Sequence, residues 1–409
     1  MHISPGRARI LGLTANVFFL GIVSFLTDIS SEMTLTLLPL FLANVLGTST
    51  IVIGLIEGVA ESAASLLKIG SGWFSDRWQQ RKILTIIGYG LSTVSKPFLF
   101  FASTWHLVLG VRFADRLGKG VRTSPRDALL ADSVPAEERG KSFGFHQAMD
   151  SFGAVLGLGL AALIVYLTQR GAVNITQASF QRLVLVGIIP AVLAVLVIIF
   201  FVHEGKEKKE KVAPPVTGEI PKNRANGLFT GLPTRFKIFL GIMVLFTLGN
   251  SSDAFLILRA QNIGLSTFHI LLLLVTFNIV YALIAGPAGI LSDKIGRKTL
   301  IIGGWTVYAL IYLGFGIAST PWVVIGLFIA YGIYYGAAEG AGRALVADMV
   351  PAEKRGTAYG LYHGAVGISV LPASVIAGWL WQSINPAAPF FFGAGLAAIA
   401  CIALVVLVK

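Results

Sequence analysis

GWFSDRWQQRK (72–82) and GILSDKIGRK (289–298), with ADSVPAEERGKSFGFHQ (131–147) and ADMVPAEKRGTAYGLYH (347–363), decide the fold. The first pair is offset by 217 residues and the second by 216, and Asp76 to Asp132 spans almost the same distance as Asp293 to Asp348. The chain is therefore two copies of one unit. Each copy places a short charged loop after its second apolar run and another after its fourth.

Around these loops the composition suits lipid. Of 409 residues 55% are hydrophobic and 13% charged, whereas soluble domains run at roughly a quarter charged. Twelve apolar runs lie at 12–43, 51–74, 83–102, 105–131, 142–168, 182–203, 236–262, 267–291, 299–318, 321–347, 357–383 and 387–408. A helix needs about 20 apolar residues to cross the hydrocarbon, so the reading is an all-α integral membrane protein with twelve transmembrane helices. The first run is too long for a signal-peptide core and lacks a small-residue cleavage site, so it reads as a span. HEGKEKKEKVAPPVTGEIPKNRANG (203–227) reads as a tether, dividing the chain into a bundle at 1–203, a linker at 204–235 and a second bundle at 236–409. Its lysines either obey the positive-inside bias or meet anionic lipid.

Alternate loops on one face, with the termini and the tether, hold 21 lysines and arginines; the other face offers only Arg170 and Arg182. Both termini are thus expected in the cytoplasm of a bacterial-type inner membrane. The net charge of +12 reports this topology and not nucleic-acid binding. The single cysteine, Cys401, excludes a disulfide framework and a CxxC site.

On its loop motifs the chain resembles the major facilitator superfamily of secondary transporters, over essentially its whole length. The family's Gly-x-x-x-Asp-(Arg/Lys)-x-Gly-x-(Arg/Lys)-(Arg/Lys) signature stands as Gly72, Asp76, Arg77, Arg81 and Lys82, and again as Gly289, Asp293, Lys294, Gly296, Arg297 and Lys298. The first copy lacks the second glycine and carries one inserted residue. The resemblance implies two pseudo-symmetric six-helix bundles with a substrate site near the midplane. It also makes Asp132 and Asp348 the partners of Arg81 and Arg297. A carboxylate beside two or three cations at a helix end forms a charge-assisted cluster that latches one face and breaks when that face opens. Arg139 and Arg355 complete the gating set. The plainer reading is topology control by the cations alone, to which Asp76 and Asp293 would add nothing.

Ionisable residues inside the membrane are costly and so are functional candidates. The first run carries Asp28 and Glu32 at i and i+4, the second Glu57, Glu61 and Lys68, the third Lys96 and the fifth His146 and Asp150. The fourth carries Arg112, Asp115, Arg116, Lys119, Arg122 and Arg126 at helical spacing along one face. With Asp127, the first half buries seven acids and seven bases, whereas the second offers Asp253 and Glu339 against Arg259 and Arg343. Charge balance alone fits a salt-bridged scaffold; the asymmetry between halves points to ion coupling and polar recognition in the first. Tyr331, Tyr334, Tyr335 and Tyr362 supply contact surface in the second.

Burial disfavours a charged carboxylate and a nearby cation favours it, so Asp28, Glu32 and Asp150 are the proton-coupling candidates. Arg116-x-x-x-Gly120 resembles the family's motif implicated in proton transfer. Gly144, Gly153 and Gly157 reproduce its antiporter glycine spacing, although Leu158 stands where that motif has proline. Glu61, Arg112, Asp115, Lys119, Arg122, His146, Asp253, Tyr335, Glu339 and Arg343 are the substrate-binding candidates.

No HExxH, GxSxG or CxxC occurs, and Gly140-Lys141-Ser142 lacks the glycine a phosphate loop requires, Pro135 standing in its place. An enzyme, and with it a cofactor, is not indicated. A channel would not need paired latches; a lipid flippase on the same fold stays open. The sequence thus points to a monomeric proton-coupled transporter exporting a small amphipathic molecule or metabolite. Uptake of an organic or phosphorylated anion by the Arg/Lys stripe, and export of a metal or chelate through Asp28, Glu32, His146 and Asp150, are the alternatives. A reporter enzyme active only outside the cytoplasm should give no signal when fused after Lys409, but full signal when fused after a truncation at Gly47.

Overall fold

The computed structural model describes residues 9–78, 80–135, 138–169, 172–204, 232–351 and 355–408. Side chains at 69, 72–74, 76–78, 285–295, 297, 337–344, 347 and 355–357 are outside the description. The side chains of the candidates Asp76, Asp293, Arg297, Glu339, Arg343 and Arg355, and most of the tether, therefore lie outside the described residues.

A backbone in hydrocarbon must satisfy its own N–H and C=O groups, which leaves helices as the solution for these apolar runs. All twelve runs are helical. Span one is α1 (Ala15–Thr34) and α2 (Leu38–Asn44), and spans two to six are α3 (Thr50–Trp78), α4 (Arg81–Ser95), α5 (Trp105–Asp132), α6 (Arg139–Gln169) and α7 (Gln177–Phe201). Span seven is α8 (Thr234–Gly249) and α9 (Ala254–Asn262), followed by α10 (Thr267–Ile295), α11 (Arg297–Ile317), α12 (Pro321–Met349), α13 (Arg355–Ser383) and α14 (Ala388–Leu407). Among the described residues ten helices are long and apolar enough to cross a membrane, and α5 is not one of them. Its charges remove it from that set.

Three runs are corrected in detail. The first does not begin at 12: Arg9–Ile10 and Leu13–Thr14 pair as a tiny antiparallel hairpin, turned by Leu11 and Gly12 with positive φ. It is also not one helix, because α1 ends at Thr34 and α2 restarts around Pro39. The seventh run breaks likewise between Gly249 and Ala254, at the equivalent place in the repeat. The third run tightens into a 3₁₀ helix over Lys96–Phe101, where Pro97 cannot donate to the α ladder. The turn between α10 and α11 rests on Gly296, with φ of 87°, a left-handed conformation that favours glycine; the first copy has Gln80 there, with φ of −108°. The missing glycine in the first motif thus marks a differently built turn.

In the first half α1 packs on α6 and α7, and α5 on α3 and α4; in the second α10 packs on α12, and α14 on α8 and α11. The halves meet along α3 against α13 and α6 against α10. This all-α arrangement is two pseudo-symmetric six-helix bundles with a lipid-facing surface that exposes Phe101, Leu167, Phe200, Leu283 and Ile402.

The α3–α13 seam is backbone to backbone. A Cβ at Gly58 would lie 2.8 Å from Leu371 Cα, and one at Gly378 2.8 Å from Ile51 Cα. Ser62 Oγ donates to the Gly367 carbonyl at 2.6 Å and Thr50 Oγ1 to that of Gly378 at 3.0 Å. At the end away from Arg81 and Arg139, Thr267 N and Oγ1 both donate to the Val173 carbonyl at 3.0 Å, joining the halves again. Gly153 and Gly157 of α6 do the same work against α1, where added Cβ atoms would sit 2.5 Å from Phe25 O and 2.7 Å from Ile29 O. Gly144, the third residue of the expected glycine pattern, meets nothing within 4 Å. Overpacking a close contact costs about 1–3 kcal/mol; Gly157→Val should lower the melting temperature of the purified protein, whereas Gly144→Ala should leave it unchanged.

Candidate functional site

The two helix breaks face each other across a cavity of about 420 Å³. Leu35 and Thr36 come from the first break and Asn250, Ser251, Ser252 and Asp253 from the second, so chain that is not helical lines the space. That placement is physically consistent, because irregular backbone at membrane depth is tolerated where it borders a cavity.

The wall from the first half is ionic. Arg112 of α5 grips Glu57 of α3 in a fork, Nε to Oε1 at 3.2 Å and Nη2 to Oε2 at 2.7 Å, with side chains only 7% and 5% exposed. One turn on, Arg116 Nη2 lies 3.0 Å from Glu61 Oε1, and Arg112 Nη2 lies 3.7 Å from the same oxygen. Helical spacing produces the double rung, since residues four apart on each helix lie on one face. Each arginine keeps something back: Arg112 Nη1 and Arg116 Nε are buried without a hydrogen-bond partner among the described residues. Glu32 accepts from Thr36 at 2.5 Å. From the opposite half Asp253 accepts from Tyr331 at 2.9 Å, and Tyr331 stacks on Phe277.

A smaller cavity of about 110 Å³ adjoins the first, sharing Glu32, Thr36, Arg112 and Arg116 and adding Asp28, Asp115, Lys119 and Arg122. Lys96, 1% exposed, bonds the hydroxyls of Ser30 and Ser31 at 2.9 Å each, tying α4's end to α1. Arg122 donates to Ser92 at 2.7 Å and lies over the Tyr89 ring. Away from both cavities, Asp150 accepts from Ser24 of α1, and His146 Nδ1 lies 3.7 Å from Asp150 Oδ2.

At the end bearing the N-terminus, Arg81 pairs with Asp132. The Glu204 carboxylate accepts from the backbone N–H groups of Arg81 at 2.6 Å and Lys82 at 3.1 Å, an anion on a helix N-terminus. Asn16 bonds Ser133 Oγ at 3.1 Å and the His203 carbonyl at 2.7 Å, and Arg9 pairs with Glu138. These contacts clip α1, α4, α5 and α7 together.

The Major Facilitator Superfamily family model matches residues 20–258 and 238–409. The chain belongs to the major facilitator superfamily. An uncharacterized MFS-type transporter of Methanocaldococcus jannaschii is 37% identical over 95% of this chain and 93% of its own. The cis,cis-muconate transport protein of Acinetobacter baylyi is 23% identical over 92% and 90%. Among solved structures, a nucleoside transporter superposes with a TM-score of 0.78 at 15% identity, covering 96% of this chain and all of the other, and a D-xylose–proton symporter with 0.77 at 16%, covering 97% and 98%. This MFS chain is a multi-pass secondary transporter and not an enzyme.

Several sequence-predicted residues do meet. Glu32, Glu61, Arg112, Arg116, Asp253 and Tyr335 line the central cavity. Asp28, Asp115, Lys119 and Arg122 line only the smaller one among these spaces, and His146 and Asp150 line neither. The six-residue face of the fourth run is thus divided: its upper two arginines pair with α3, Arg122 turns to α4, and Arg126 pairs with its neighbour Asp127 at 2.8 Å. The metal alternative is not assembled, because among the described residues no three His, Cys, Asp or Glu side chains are placed to hold an ion. Arg139 opens α6 as an exposed residue, and Asp348 is exposed near the end of α12. Glu57 was legible only as part of a stripe, and Thr36, Asn250, Ser251 and Ser252 gave no signal of their own.

Removing one member of a buried pair costs about 3–5 kcal/mol, while replacing both can be neutral. Arg112→Met should therefore destabilise the protein strongly, and Glu57→Gln/Arg112→Met should recover most of the loss in a thermal melt.

Proposed function

We propose that this MFS chain exports a small amphipathic molecule across the cytoplasmic membrane in exchange for protons, with both termini inside. In this reading the bundles 1–203 and 236–409 rock about the central cavity as a monomer, and the Arg81–Asp132 pair is a latch that parts in one of the two states. One observation carries proton coupling. Glu32 borders both cavities and Asp28 borders the smaller, among Arg112, Arg116, Lys119 and Arg122, while their only short contact among the described residues is Thr36 to Glu32. Carboxylates placed beside arginines that can change partners are suited to take up and release protons. Export is favoured by the antiporter-like spacing of Gly144, Gly153 and Gly157, of which the last two make the tight α6–α1 contact.

The unpartnered Arg112 Nη1 and Arg116 Nε favour part of a second reading, an anionic group on the cargo, without bearing on direction. A relative named as a cis,cis-muconate transport protein supports an organic acid within the substrate range.

The experiment uses proteoliposomes with an internal pH dye and a compound chosen by thermal stabilisation of the purified protein at two pH values. Asp28→Asn, Glu32→Gln and Asp150→Asn should each abolish compound-driven proton movement while keeping a wild-type elution profile. Undiminished proton movement in all three would defeat the proposal.

A further inference from the structure

Beside the central cavity, within the second half, lies another space of about 220 Å³, lined among the described residues by none of the ionic network. Phe246 and Trp305 stack at 4.3 Å with ring planes 8° apart, and Tyr334, Tyr362 and Val366 close the wall. Trp305 is 4% exposed and Phe246 5%, so this surface is turned away from lipid. Among the described residues no charged side chain lines it. It adjoins the central cavity: Asn250, Tyr335 and Val370 border both. For scale, an engineered apolar cavity of roughly 150 Å³ holds benzene.

We propose that this pocket is the subsite for an aromatic ring of the cargo, whose carboxylate sits on the free N–H groups of Arg112 and Arg116, making the substrate class aromatic organic acids. Two independent features fix the two ends. Arg112 and Arg116 line the central cavity, each with one N–H that has no partner among the described residues; a carboxylate in that cavity offers the acceptor they lack, since a buried donor without one costs free energy. A wall of flat rings offers offset-stacked and edge-to-face contact to another ring. Asn250, a neutral polar residue whose Oδ1 accepts from Tyr308 at 3.2 Å, stands at the shared rim. The subsite rests on the central cavity being the substrate site, but not on protons being the coupling ion.

Equilibrium binding in lipid nanodiscs tests it without any gradient. The probes are radiolabelled 4-phenylbutyrate with unlabelled competitors butyrate and 4-phenylbutylamine. Saturable 4-phenylbutyrate binding is expected, with butyrate and the amine each weaker by on the order of tenfold or more. Val366→Phe, which fills the pocket, should weaken 4-phenylbutyrate by a similar factor, and Arg116→Gln should weaken it while leaving the ring's preference intact. As a measurement that needs no pocket variant, 4-(4-bromophenyl)butyrate should quench tryptophan fluorescence in the wild type and lose most of that quenching in Trp305→Phe. No saturable binding, equal competition by butyrate or the amine, or quenching unchanged in Trp305→Phe would overturn the proposal. Binding as expected in a protein whose Asp28, Glu32 and Asp150 variants still move protons would leave the subsite standing and remove only the coupling mechanism.

Discussion

The double rung of Glu57–Arg112 and Glu61–Arg116 is the constraint around which the first half is organised. Four charges at membrane depth would be untenable singly, since each costs several kilocalories per mole to desolvate. Paired, they fix the rotation of α3 against α5, because in the Arg112–Glu57 fork the guanidinium plane meets the carboxylate in one orientation. Gly120 of α5 then lies against the Ala64 backbone and Leu67 of α3. The same rotation turns α3's other face, with Gly54, Gly58 and Ser62, toward α13. One set of ion pairs thus sets both the cavity wall and the seam between halves.

This explains why the charge census was balanced without being uniform. Anchoring consumes most of the charge: Glu57 is engaged by two donors and Arg122 by a serine and a tyrosine ring. What lines the cavities beyond these anchors, namely Asp28, Glu32, Asp115, Lys119, Asp253 and single N–H groups of Arg112 and Arg116, is small. Among the described residues lining the central cavity, the second half contributes the carboxylate held by Tyr331 and otherwise hydroxyls, amides, rings and aliphatic side chains.

Much of this was legible in the sequence. Periodicity and the 20-residue rule gave the twelve runs, and the repeated loops gave the bundle pairing and the Arg81–Asp132 contact. The helix breaks were partly written in: Pro39 has no N–H to continue the ladder of α1 and suits the first turn of a new helix, and Gly249-Asn-Ser-Ser-Asp253 interrupts an apolar run. Which charge meets which was not written. Arg112 and Arg122 lie on one face of one helix, yet one is claimed by α3 and the other by α4, a choice made by neighbours that spacing cannot name. Neutral cavity residues such as Thr36 and Ser252 were hidden for a simpler reason: serine and threonine in membrane helices commonly bond their own backbone, as Thr34 does to Ser30, and carry no mark of function.

The α3–α13 seam has an electrical consequence. Its contacts are glycine backbone, hydroxyls and carbonyls, and no full charge sits at the touching positions 50, 54, 58, 62, 367, 371, 374 and 378. A membrane potential does work of about 2.3 kcal/mol per 100 mV only on charge that moves through it. Parting these two surfaces displaces dipoles alone, so voltage finds no handle on the seam itself, and any voltage sensitivity must enter through the cargo, the coupling ion or charged groups elsewhere that move with them.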